Sequence, residues 1–121
     1  MTGAVDAVRL CQEGKATMPQ LLRHWAGTDP RRLAFREKHL GIWKRITWGE
    51  YWTHVKRFAL GLRALGFERG DRLAVASENT PEWMYADLAA QALGGACLGV
   101  YPTNPWPELQ YIVRHSRSKI A

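Results

Sequence analysis

Residues 73–113 contain no lysine and no arginine, in a chain of 121 residues that holds 17 of them and carries a net charge of +6. Only Glu78, Glu82, Asp87 and Glu108 are charged there. A long cation-free stretch inside a basic chain is suited to the interior, because an unpaired buried charge costs more than packing returns. Fourteen of the 17 cations, with 7 acids, lie in residues 1–72, and the other three close the chain in residues 114–121.

The pattern inside and just before that stretch reads as strand, helix, strand. Gly66 and Gly70 punctuate a turn, and Asp71-Arg72 open a strand whose apolar run is Leu73-Ala74-Val75-Ala76. That run has the length of a buried strand. Glu78-Asn79-Thr80 forms a polar turn in which Thr80 can cap a helix, Pro81 fits its first position and Glu82 its first turn. The helix, Glu82 to Leu93, meets a stop signal at Gly94-Gly95. A second apolar run, Ala96 to Tyr101, ends at Pro102. Two short apolar strands joined by a helical crossover form a parallel pair.

The flanking segments extend this unit. Residues 1–16, mixed, small and charged, read as a flexible start. Thr17 caps a helix over about 18–27, with Leu21, Leu22 and Trp25 on its apolar side, and Gly27-Thr28-Asp29-Pro30 ends it. Leu33–Glu37 and Ile42–Ile46 read as strands of a hairpin joined through Lys38-His39-Leu40-Gly41, with His39 at the surface. Thr47-Trp48-Gly49-Glu50 is a capping box. The helix it opens runs to about Leu65, and Tyr51, Val55, Phe58, Leu62 and Leu65 recur at intervals that make one apolar face. On that reading Phe58 is core, and Phe58→Ala costs about 3–5 kcal/mol. His54, beside Val55, reads as solvated. Asn104 caps a last helix with Pro105 first in it and Leu109, Ile112 and Val113 on its apolar side. Ser116-Arg117-Ser118 turns the chain, and Lys119-Ile120-Ala121 begins a third strand. The fold class is therefore α/β, an incomplete parallel-sheet subdomain preceded by a small hairpin. A sheet that stops at its third strand leaves an open apolar edge.

Several function classes find no support. The cations occur as pairs (Arg31-Arg32, Lys44-Arg45, Lys56-Arg57), the pattern of a solvated face more than of a nucleic-acid groove. Cys11 and Cys97 match no metal or disulfide spacing and read as reduced thiols of a cytosolic protein. No stretch is long and apolar enough to span a membrane. Gly94-Gly95-Ala96-Cys97-Leu98-Gly99 places its glycines after a helix and before a strand, the reverse of a phosphate loop, and reads as close packing. Glu78 and Glu82 read as a polar strand-end loop, and Asp87 and Gln91 share a helix face from which they can bond a neighbouring segment. Trp48, Trp52, Trp83 and Trp106 flank helix starts, where packing is their expected work. The residues alone supply no catalytic, cofactor-binding or metal-binding site.

Two motifs carry a resemblance. Ile46-Thr47-Trp48-Gly49-Glu50-Tyr51 resembles the first core motif of adenylate-forming enzymes, Leu-Thr/Ser-Tyr-x-Glu-Leu, with Trp48 for the Tyr and Tyr51 for the Leu. Ala92 to Pro102, ALGGACLGVYP, resembles their second core motif, Leu-x-x-Gly-Ala-x-x-x-Pro. Gly70–Val75 and Asn79–Trp83 look like the linking segments, in the same order and spacing over about residues 17–121. GVYPTNPWPELQYIVRHS and ITWGEYW look most like AMP-forming long-chain acyl-CoA synthetases.

The resemblance implies a ligase that converts a fatty acid and ATP to an acyl-adenylate and pyrophosphate, after which CoA displaces AMP. ATP, CoA and Mg2+ are implied for the full-length enzyme, and none is expected to be held by residues 1–121. The family's phosphate loop, magnesium-binding Glu, ribose-binding Asp and mobile Lys all belong to later motifs, so no catalytic residue is carried over. Residues 17–121 are expected to be the N-terminal part of the AMP-binding domain, inactive alone, with the remainder of that domain as partner. A cytoplasmic location is expected, and peripheral membrane association stays open. Two other readings stand beside this one: a free-standing interaction module that pairs through its open edge, and a basic nucleic-acid binder. An aryl, short-chain or amino acid in place of the fatty acid is a variant of the family reading.

Overall fold

The computed structural model describes residues 8–15 and 17–121. The chain divides into two compact units, Met1–Thr53 and His54–Ala121.

In the first unit, residues 8–12 are helical and Leu10 is buried. The expected flexible start falls partly on residues 1–7 and 16, which lie outside the described residues. Helix α1, Met18–Thr28, is capped by Thr17, whose hydroxyl accepts from the Gln20 amide while the Gln20 side chain accepts from the Thr17 amide. This reciprocal box satisfies two amides that a helix start leaves free. The helix buries Pro19, Leu22 and Ala26.

Strands β1, Leu33–His39, and β2, Ile42–Thr47, pair antiparallel. The hairpin is tighter than the sequence suggests. Lys38 and His39 continue the first strand, opposite Trp43 and Ile42, and only Leu40-Gly41 form the turn. Both turn residues have positive φ, 49° and 80°, as a two-residue turn matching the strand twist requires. Gly41 adopts that conformation freely, whereas Leu40 holds it at a steric cost of roughly 1–2 kcal/mol. His39 is exposed, as expected.

Helix α2, Trp48–Ala64, begins in the first unit and runs into the second. Its capping box is formed: Glu50 Oε2 accepts from the Thr47 amide at 2.8 Å, and the Thr47 hydroxyl accepts from the Glu50 amide at 3.3 Å. Its apolar face is only partly inside. Tyr51, Val55 and Leu62 are buried, but Phe58 is 37% and Leu65 70% exposed. Periodicity identified the face correctly and overestimated how much of it these 121 residues cover.

In the second unit, β3, Arg72–Ala76, and β4, Ala96–Val100, form the expected parallel pair, with Leu73 beside Cys97 and Ala76 beside Val100. The crossover is α3, Pro81–Ala92, which packs on both strands and buries Tyr85, Ala86, Leu88, Ala89 and Ala90. Burial on most sides fits a helix that has no lysine or arginine and only two acids, the exposed Glu82 and the half-buried Asp87. Thr80 occupies the cap position, yet its side chain makes no capping bond. Pro81, which has no N–H to satisfy, lessens the need for one. Gly94, at φ 78°, takes the left-handed position that ends the helix.

Helix α4, Trp106–Ser116, starts one residue later than expected: Pro105, not Asn104, is its cap. Leu109, Ile112 and Val113 are half-buried rather than core. Arg117, at φ 53°, turns the chain, and Ile120 then pairs parallel with Leu73 on the side of β3 away from β4. The third strand begun by Lys119-Ile120-Ala121 is thus present as a single bridge, which makes β3 central.

Candidate functional site

The first motif is a corner of the hairpin unit. The Trp48 amide donates to the Arg32 carbonyl and the Gly49 amide to the Pro30 carbonyl, both at 3.0 Å. A Cβ on Gly49 would lie 3.1 Å from that Pro30 oxygen, so the backbones approach closely there. Trp48 stacks on Tyr51, with centroids 6.3 Å apart, and faces Trp25 at 6.4 Å, while Tyr51 meets the Phe35 ring edge-on at 5.2 Å. Every residue of the motif is engaged in capping or packing.

In the second motif the glycines are the closely packed positions. A Cβ on Gly95 would fall 2.5 Å from Phe67 Cε1 and 2.6 Å from the Asp71 carbonyl oxygen. A Cβ on Gly99 would fall 2.9 Å from Trp83 Cζ2, and one on Gly94 3.0 Å from Arg69 Cγ. Side chains fill the space in which glycines of a phosphate cradle would admit an anion. Among the described residues no group of three His, Cys, Asp or Glu could hold a metal ion. The glycines of this motif therefore do not form a phosphate cradle.

The ionisable groups singled out from the sequence do local work. Asp87 accepts from the Gln91 side chain of its own helix at 3.0 Å, rather than from a neighbouring segment. His54 is exposed but not merely solvated, since its ring stacks on Tyr85 at 4.7 Å. Glu78 and Glu82 are exposed, and Cys11 is an exposed free thiol. Desolvation, helped by the negative charge of Asp87, pushes the Cys97 thiol up to about 11. Asp71 moves the other way: the Glu68 amide, donating at 2.7 Å, and Lys119, at 3.0 Å, hold its carboxyl below 3.8.

One concavity of the second unit was legible only as an open edge. It is a cleft of about 690 Å³ whose walls include Phe58 of α2, Leu65 in the turn after it, Ala74 and Ala76 of β3, Trp83 of α3, and Ile120. Glu82 is its one charged lining residue. Apart from Glu82 and Ser77 the lining is apolar, and its chemistry is that of a surface to be covered. The signal that could have located it is the pair Phe58 and Leu65, apolar residues on a face wider than their own subdomain can bury.

Residues 22–121 match the family model described as AMP-binding enzyme. The chain is 32% identical over 108 residues to the uncharacterized protein Rv1549 of Mycobacterium tuberculosis, covering 89% of this chain and 61% of that protein. It is 32% identical over 111 residues to the long-chain-fatty-acid–CoA ligase ACSBG1 of Bos taurus, covering 92% of this chain and 15% of the ligase. It superimposes on the N-terminal domain of FACL13 from Mycobacterium tuberculosis with a TM-score of 0.78 and 29% identity, covering 84% of this chain and 25% of that one. The chain thus spans about three fifths of one relative and about a seventh of the other. The capping-box corner, the parallel β–α–β unit and these likenesses agree: the chain belongs to the AMP-binding, adenylate-forming enzyme family and has the α/β fold of its N-terminal part.

Proposed function

We propose that residues 17–121 are the N-terminal scaffold of an AMP-forming fatty acid–CoA ligase. In that reaction ATP and a fatty acid give an acyl-adenylate and pyrophosphate, and CoA then takes the acyl group and releases AMP. The observation that carries the reading is the 32% identity with a long-chain-fatty-acid–CoA ligase across 92% of this chain. The role within the enzyme is packing. Both motifs are spent on caps and close contacts, and the apolar cleft beside β3 offers the surface on which the rest of a domain can be laid. ATP, CoA and magnesium are bound by residues other than these, and the 121 residues alone are inactive. Among the described residues no helix is long and apolar enough to cross a membrane, and the setting proposed is cytoplasmic.

Fatty-acid-dependent exchange between ATP and pyrophosphate tests this. The 121 residues alone should give none, and the full-length ligase containing them should exchange with long-chain acids. Robust exchange by the pure 121-residue chain would overturn the scaffold assignment.

A second reading, a non-catalytic interaction module of the same fold, is favoured by one observation. The relative Rv1549 is short enough that this chain covers 61% of it. A monodisperse species that unfolds cooperatively at this length would favour the module.

A further inference from the structure

The β1–β2 hairpin carries an apolar tip that nothing in its own unit covers. Leu40 is 89%, Ile42 70% and Trp43 59% exposed. Leu40 also holds a positive φ at the turn, where asparagine, aspartate or glycine would sit more easily. An apolar residue is therefore kept at the outermost point of the hairpin against both solvation and backbone preference.

Cations surround that tip. Residues directly opposite in an antiparallel pair share a face. One face thus carries Arg36 opposite Arg45 and Lys38 opposite Trp43. The other face carries Glu37 opposite Lys44, and His39 opposite Ile42. Lys38 Nζ lies 5.8 Å from the Trp43 ring centroid. Like charges directly opposite destabilise a sheet, and among the described residues no carboxylate forms an ion pair with Arg36, Lys38, Lys44 or Arg45. Lysines on a two-stranded ribbon blunt its edges against aggregation, but that purpose would be defeated by an exposed Leu, Ile and Trp beside them.

We infer that the hairpin tip docks on an anionic lipid surface, with Leu40, Ile42 and Trp43 entering the interface and Arg36, Lys38, Lys44 and Arg45 meeting headgroup phosphates. The chemistry matches at both levels. Tryptophan and aliphatic side chains partition into the headgroup–acyl boundary, and each cation near an anionic leaflet strengthens binding about fivefold. The cross-strand pair Arg36–Arg45 gains from the membrane the counter-charge that its own fold does not supply. This surface goes beyond the ligase reading and does not depend on it, because it requires no particular substrate.

Flotation of the full-length protein with vesicles tests it, using phosphatidylcholine alone and phosphatidylcholine mixed with phosphatidylglycerol. Binding to the anionic vesicles should exceed binding to the neutral ones and fall as salt is raised. L40S/W43S should weaken it about tenfold or more, and R36Q/R45Q about thirtyfold. All four residues are exposed, so unchanged circular dichroism and thermal melting will separate lost docking from lost folding. Absence of binding to anionic vesicles, or binding that neither double variant alters, overturns the inference. So does a preference for RNA or duplex DNA over the vesicles at equal salt, which would assign the surface to nucleic acid. ATP–pyrophosphate exchange, measured without vesicles, reports on the ligase reading separately.

Discussion

Asp71 Oδ2 sits 3.0 Å from Lys119 Nζ, and just beyond this pair the backbones meet, where the Ala74 amide donates to the Ile120 carbonyl at 2.9 Å. The Lys119 amide in turn donates to the Arg72 carbonyl at 2.9 Å. One carboxylate thus lies beside the Leu73–Ile120 pairing on the side of β3 away from β4. Asp71 is held below 3.8 by the Glu68 amide and by Lys119. A depressed carboxyl contributes stability that is fully present above the unfolded value and is lost as pH falls through the lower folded one. The melting temperatures of wild type and Asp71→Asn should therefore differ at neutral pH and converge as pH falls below the ordinary carboxylate range and through the lowered folded value. A difference that persists undiminished in acid would mean that the carboxylate is not the source.

Gly95 and Gly99 rank differently as packing positions. A methyl on Gly95 meets the buried Phe67 ring and the Asp71 carbonyl oxygen, a backbone atom that cannot turn aside. A methyl on Gly99 meets one edge of Trp83, a half-buried side chain that can shift. Gly95→Ala should destabilise the second unit by about 1–3 kcal/mol. Gly99→Ala should cost distinctly less. Denaturant midpoints of the two variants check the order, and equal costs would refute it.

How far the fold could be read before the structure follows from where each signal lies. Local signals were sufficient for the two capping-site threonines, Thr17 and Thr47, for the helix stop at Gly94, and for the β–α–β unit, because caps, stops and short apolar runs are decided by neighbours in sequence. Thr80 and Asn104 fell short for one reason: a proline beside each already supplies a helix start, so position did not translate into a capping bond. The Asp87–Gln91 bond was misdirected because residues four apart on a helix reach each other before they reach another segment. The His54–Tyr85 stack and the Asp71–Lys119 pair join distant parts of the chain, and no local pattern encodes them. The cleft was legible only as an open edge. Its walls come from α2, β3, α3 and the last strand, and periodicity says which residues share a face, not what lies opposite.

Leu62 and Leu65 make that last point measurable, since they are the same residue type on one helical face with opposite surroundings. Leu62 is 4% exposed and Leu65 is 70% exposed. In the 121-residue chain, Leu62→Ala should cost about 2–4 kcal/mol. Leu65→Ala should stay within about 1 kcal/mol, with Phe58→Ala between the two. In the full-length ligase the rest of the domain is proposed to cover this face, and Leu65→Ala and Phe58→Ala should then approach the cost of a core truncation. Equal and small costs in both settings would remove the cleft as a packing surface.

The two thiols should react at very different rates, for reasons that reside in their surroundings. Cys11 lies exposed near the start of the first unit. Cys97 lies in the central parallel pair beside Leu73, where desolvation and the nearby Asp87 charge push its thiol up to about 11. The thiolate is the form that alkylates, so a raised value leaves Cys97 almost wholly protonated at pH 8. Treatment of the folded chain with iodoacetamide at that pH should place a single adduct on Cys11, read by mass spectrometry of peptides. Raising the pH toward 11 should bring Cys97 into reaction. Asp87→Asn should bring it in at lower pH, because removing a negative neighbour lowers the cost of forming the thiolate. Rapid modification of Cys97 at pH 8 in the folded wild-type chain would mean that β4 is open to solvent, and that the core of residues 73–100 is not closed.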